Sequence, residues 1–151
     1  MRLGFHISIS KGFRYVPDRA SSLGCNTFQM FVGNPRGWKK KLISPEDVKE
    51  FKKGVIKYKL HPIIVHSSYL PRINSVNKDL RERSIASLIT EIERAETLSA
   101  HYFIIHFTPK QEEIELFKGG LGQLHSKYTE ILLENTASSE FKVMGEVLKH
   151  L

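Results

Sequence analysis

Ile63-Ile64-Val65-His66 and Phe103-Ile104-Ile105-His106 are short apolar runs that each end on a histidine, and Ile131-Leu132-Leu133-Glu134 is a third that ends on a carboxylate. Continuous apolar runs of this length, without polar alternation, predict strands covered on both faces, the pattern of a parallel sheet. Two earlier segments extend the series: Leu3-Gly4-Phe5-His6, and the less regular Thr27-Phe28-Gln29-Met30-Phe31.

The residues between these runs have helical spacing. Ser44-Pro45-Glu46-Asp47 reads as an N-cap, a proline at the first helical position and an acidic first turn. Val48, Phe51, Val55 and Tyr58 follow at intervals of three and four, an apolar stripe. The longest predicted helix runs over 77–98, with Leu80, Leu88, Ile89, Ile92 and Ala95 on one face and Arg81, Glu82, Glu91 and Arg94 on the other. A shorter helix is expected over 17–23, stopped by Gly24. Residues 111–125 carry a weaker pattern that Gly119-Gly120 is expected to break.

Strand and helix alternate about five times, which predicts an α/β fold of βαβ units with right-handed crossovers. Two architectures compete: an open doubly wound sheet and part of a TIM-like (β/α) barrel. His6, His66, His106 and Glu134 all fall at carboxyl ends of predicted strands, where barrel enzymes carry their chemistry. A doubly wound sheet more often has a glycine-rich phosphate loop after its first strand, and Ser10-Lys11-Gly12 is not one.

With 151 residues, 40% of them hydrophobic, the chain suits a single domain over 1–151. Cys25 is its only cysteine, which excludes an intrachain disulfide and a cysteine-rich zinc finger. No stretch is long and apolar enough for a membrane span, and Met1 to His6 has no signal-peptide character, so a cytoplasmic setting is expected. Charge is uneven: residues 1–60 hold 13 Lys/Arg against 4 Asp/Glu, whereas 61–151 hold 10 against 12. A one-sided basic field favours polyanions, nucleic acid first, although a solvated lysine-rich surface has the same composition.

His66, His106 and Glu134 occupy equivalent positions on three successive predicted strands. If those strands are neighbours, the side chains converge as a His₂Glu set, a recognised zinc environment. Zinc there would lower the pKa of a bound water toward ~7 and polarise a phosphoryl oxygen. The alternative is three polar residues that cap strand ends. Two loops also have functional readings. Asn34-Pro35-Arg36-Gly37-Trp38 offers an arginine for phosphate and an indole that either stacks on a base or folds back as a lid on the core. Tyr69 and Leu70, just past His66, can wedge into a base stack or pack on the next helix.

Four segments in order resemble the endonuclease IV family of apurinic/apyrimidinic endonucleases. These are Gly4-Phe5-His6-Ile7-Ser8, Asn34-Pro35-Arg36-Gly37-Trp38, His66-Ser67-Ser68-Tyr69-Leu70 and Leu133-Glu134-Asn135-Thr136-Ala137. The resemblance implies a (β/α)₈ barrel with up to three zinc ions that cleaves DNA on the 5′ side of abasic sites. It implies His66, His106 and Glu134 as ligands of one zinc, with Glu134 the catalytic carboxylate that bridges to a second. It also implies that Asn34, Arg36, Trp38, Tyr69 and Leu70 face duplex DNA, with His6 on the active-site wall.

The sequence departs from the family at Phe107-Thr108-Pro109, where relatives have Pro-Gly after the histidine, and at Pro71-Arg72-Ile73-Asn74. The family's later ligand segments have no counterparts in these 151 residues, so one ligand set is complete. A barrel of ~250 residues does not close with 151, which leaves the first and fifth strands as expected open edges. Self-association, or a carboxyl-terminal half supplied separately, would cover them. Two rival readings are a metal-dependent sugar isomerase or epimerase on the same barrel, and a non-catalytic half-barrel that binds nucleic acid.

Overall fold

In the computed structural model of the chain, residues 1–107, 109–136 and 141–148 are described; Thr108, Ala137 and His150 fall outside them. The elements run α1 (Val16–Ser22), β1 (Phe28–Met30), α2 (Pro45–Lys57), β2 (Ile63–His66), α3 (Lys78–Thr97), β3 (Tyr102–Phe107), α4 (Ile114–Leu121), β4 (Glu130–Asn135) and α5 (Phe141–Leu148). Helix starts follow the sequence chemistry. The Ser44 hydroxyl accepts from the Asp47 N–H at 3.1 Å and the Asn77 side chain accepts from the Leu80 N–H at 2.9 Å, so each occupies an otherwise orphan backbone donor.

The strands form one parallel sheet in the order β1-β2-β3-β4. Consecutive order without reversal decides between the two candidate architectures. A doubly wound sheet reverses direction at a switch point, whereas a barrel adds each strand beside the last. The sheet is an arc of a TIM-like barrel.

Three expectations need correction. The predicted first strand is not a regular strand: Leu3 to His6 lies beside β1 through one parallel bridge, His6 to Gln29, with the Gln29 N–H donating to the Phe5 carbonyl at 3.1 Å. Four strands are therefore present among the described residues, not five. Gly119-Gly120 does not break the fourth helix, because α4 runs through both to Leu121. A Cβ on Gly120 would lie 2.8 Å from Cβ of Ile73, so the missing side chain is what lets the helix approach the loop after β2. Glu91 does not lie on the solvent face of α3 but is 1% exposed.

Burial on both faces also holds only in part. In β3, Phe103, Ile105 and Phe107 are buried, while Tyr102, Ile104 and His106 are half-buried. Register assigns the faces. Phe28, Ile63, Phe103 and Ile131 share the helix-covered side, and Gln29, Ile64, Tyr102 and Glu130 share the other. The core lies between sheet and helices, where Phe28 meets Phe51 edge-on at 6.1 Å and Phe107 meets Phe117 at 5.1 Å. The opposite face is the side a closed barrel would enclose, and it carries His6, Gln29, His66, His106 and Glu134. β4 ends the strand order, and its residues are exposed or half-buried throughout. No helix among the described residues is long and apolar enough to cross a membrane.

Candidate metal centre

His66 is the last residue of β2, His106 the fifth of β3, and Glu134 pairs in register with His106 across the β3–β4 ladder. All three therefore project from the carboxyl ends of adjacent strands on the uncovered face. The structure brings the three side chains together. His66 Nε2 is 3.1 Å from a Glu134 carboxylate oxygen and 3.1 Å from His106 Nε2, which is 3.4 Å from the same oxygen.

The protonation pattern explains why this arrangement suits a cation. His66 Nδ1 lies 2.8 Å from the Ser67 carbonyl, which can only accept, so Nδ1 donates there and Nε2 is the ring nitrogen turned toward the centre. Burial, and then the neighbouring His66, hold the His106 imidazolium below the usual histidine range against the opposing pull of Glu134. Two imidazole nitrogens and a carboxylate oxygen thus converge on one point.

A zinc tetrahedron with bonds of about 2.05 Å has edges of about 3.3 Å. The separations of 3.1, 3.1 and 3.4 Å lie close to that value, so the donor set fits a divalent ion of this size. Among the described residues these three are the His/Cys/Asp/Glu group that could hold a metal ion, with their ligand atoms within 4.8 Å of one another.

Other residues singled out in the sequence surround this centre unevenly. Tyr69 is 54% exposed and stands at its mouth, its ring 5.4 Å from Phe31 and 6.3 Å from both His66 and His106. His6 is exposed, bonds Gln29 at 2.9 Å and lies with its ring 4.4 Å from that of Phe31 at a tilt of 53°, and Phe31 meets His66 edge-on at 5.7 Å. Phe31 therefore links His6 to the His66–His106–Glu134 group. Leu70 is half-buried.

Arg36 is exposed on its loop, and Asn34 spends its side-chain oxygen on the Arg36 N–H at 3.0 Å, an Asx turn that sets the loop's shape. Trp38 is half-buried, and its ring lies under the Arg83 guanidinium of α3, with Cζ 4.3 Å from the centroid. A cavity of about 460 Å³ opens beside His106 and Tyr69, with Arg72, Asn74, Lys110 and Glu113 among its lining residues.

Sequence reasoning missed the support beneath these groups. Glu91 accepts from the Ser68 N–H at 2.8 Å and from its hydroxyl at 2.5 Å, and pairs with Lys40 at 3.0 Å. A signal was present in the spacing, since positions 84, 88, 91 and 95 are the buried Ser84, Leu88, Glu91 and Ala95 of one helical stripe. Phe31 and Ser67 carried none.

Comparison with known proteins agrees with the geometry. Residues 17–148 match the family described as "Xylose isomerase-like TIM barrel". A "Probable endonuclease 4" of Halothermothrix orenii is 44% identical over 106 residues, which covers 70% of this chain and 38% of the relative. One from Thermosipho africanus is 36% identical over the whole of this chain and 56% of the relative. The crystal structure of endonuclease IV from Thermus thermophilus superposes with a TM-score of 0.86 at 28% identity, over 98% of this chain and 59% of that one. The chain thus spans less than two thirds of the length of these relatives. It belongs to the xylose isomerase-like TIM-barrel family, and its relatives there are proteins of the endonuclease IV kind.

Proposed function

We propose that the chain is the metal-binding and DNA-facing part of a zinc-dependent DNA-repair phosphodiesterase acting 5′ to abasic sites. The observation that carries the reading is the convergence of His66, His106 and Glu134 at separations close to the edges of a zinc tetrahedron, at the carboxyl ends of barrel strands. The similarity to proteins named endonuclease 4 supports a phosphodiester substrate over a sugar. A free, buried Cys25 is compatible with a reducing, cytoplasmic setting.

Zinc in a site of this kind supplies Lewis acidity toward a phosphoryl oxygen. The protein's own contribution is positioning. The Ser67 carbonyl holds the His66 ring in the tautomer that turns Nε2 inward. Glu134 brings its carboxylate within 3.1 Å of His66 Nε2 and 3.4 Å of His106 Nε2. Arg36 and Asn34 are exposed on one rim of the uncovered face and Tyr69 on the next, where a backbone phosphate meets the first and an unstacked nucleotide meets the second. Trp38 and Leu70 complete that DNA-facing surface.

Duplex binding should weaken steeply as salt is raised, because the excess of cations in residues 1–60 would displace counterions. Arg36→Ala should lower affinity for every sequence alike, since a phosphate contact carries no base code. Fluorescence anisotropy over a salt series measures both, and salt-insensitive binding would favour the sugar-enzyme reading.

A cleavage assay on an abasic duplex tests the activity. The 151 residues alone should cut slowly, because the uncovered face leaves the centre open to water and reacting groups loosely held. Adding the carboxyl-terminal part of a full-length relative should raise the rate by about 10²-fold or more, the penalty that misplacement of ~1 Å carries. Cleavage by the chain alone at the rate of a full-length relative would refute that expectation.

A further inference from the structure

Lys40 and Glu91 form a buried ion pair with no part in the metal centre itself. Their side chains are 6% and 2% exposed, with Nζ 3.0 Å from a Glu91 oxygen. The ammonium also donates to the Gly37 carbonyl at 3.1 Å, the Asn34 carbonyl at 3.3 Å and the Ser68 hydroxyl at 3.4 Å. Glu91 holds Ser68 by both its N–H and its hydroxyl and accepts from Ser87 at 3.3 Å. A buried ammonium persists only where such partners are complete, so this one is a fixed node.

The node joins two loops that follow different strands of the sheet. Asn34 to Trp38 follows β1, and Ser67 to Leu70 follows β2 directly after the ligand His66. Its seat is cut to size: a Cβ on Gly33 would fall 2.6 Å from Cδ of Lys40, so the lysine stem crosses over a residue without a side chain. A second tie, from the Tyr69 N–H to the Pro35 carbonyl at 2.9 Å, joins the same loops on the solvent side.

We propose that Lys40 is a positioning residue, which through Glu91 and Ser68 locks the Asn34–Trp38 loop to the segment that carries His66. Arg36 and the metal centre then hold a constant separation, and a phosphodiester gripped by the loop is presented to the centre in one register. The consequence for substrate rests on the DNA-repair reading; the locking of the loop does not.

Trp38 is the only tryptophan and sits in that loop, so its emission reports the loop directly. Lys40→Met keeps the stem and removes the ammonium; Lys40→Met with Glu91→Gln removes both charges at nearly constant shape and stands in if the single variant does not fold. In the full 151-residue chain, either folded variant should show greater quenching of Trp38 by acrylamide. Zinc affinity, measured by calorimetry, should stay within about twofold of wild type, because no metal ligand has changed. Affinity for an abasic-site duplex should fall about tenfold or more, as expected when a contact loses its position. Arg36→Ala should weaken the duplex without altering the quenching.

Unchanged quenching in a folded variant would overturn the proposal, as would duplex affinity equal to wild type where Arg36→Ala has weakened it. If wild type binds no duplex even at low salt, the DNA reading fails, and the Trp38 quenching still decides whether Lys40 locks the loop.

Discussion

His106→Ala should lower zinc affinity by about 100-fold or more. Removing an outer-shell partner of a metal ligand already costs roughly 10–100-fold, and in the proposed site His106 is itself one of three donors. The loss goes beyond one bond. Without the His106 ring, only His66 Nε2 and the Glu134 carboxylate, 3.1 Å apart, remain to hold the ion. Calorimetric zinc titration against wild type measures the effect. The exposed His125, replaced in the same way, is the control and should leave the affinity unchanged. Equal zinc affinity in the His106 variant would dismiss the His₂Glu assignment.

Glu91→Ala should destabilise the fold by about 3–5 kcal/mol, the range found when one partner of a buried ion pair is removed. The charge that stays behind explains the size. The Lys40 side chain is 6% exposed and would keep its ammonium in a site whose remaining partners are neutral oxygens. Ser68 would lose an acceptor for its N–H and another for its hydroxyl. For a domain of this size such a loss lowers the melting temperature on the order of 10 °C. Thermal unfolding followed by circular dichroism measures it, and a change below about 2 °C would mean the pair is not buried as described. Lys40→Met should cost less, since Glu91 keeps both bonds to Ser68.

Much of the site could be read from the sequence because barrel geometry ties chemistry to strand ends. An apolar run that ends in His or Glu puts that residue where parallel strands meet their loops, so His66, His106 and Glu134 could be named before any tertiary contact was known. The start of α2 at Ser44-Pro45 and the span of α3 from Asn77 to Leu98 were equally legible, since capping is local chemistry. The Leu3–His6 segment misled because an apolar run does not reveal how many partners a strand finds. This one touches β1 through a single bridge, with Leu3 and Phe5 half-exposed.

The sequence by itself determined the α/β class, the two histidines and the glutamate at strand ends, and the basic first 60 residues, all of which depend on residue type and spacing along the chain. Only the tertiary structure decided that the sheet is a barrel arc, because strand order is a property of which runs become neighbours. It alone put Trp38 under Arg83 and turned Glu91 from a solvent-face charge into a buried anchor. A carboxylate on a helix is read as solvated until something covers it. What covers this one is Lys40, which arrives from a loop with no periodicity, and whose place is set by long-range packing over Gly33.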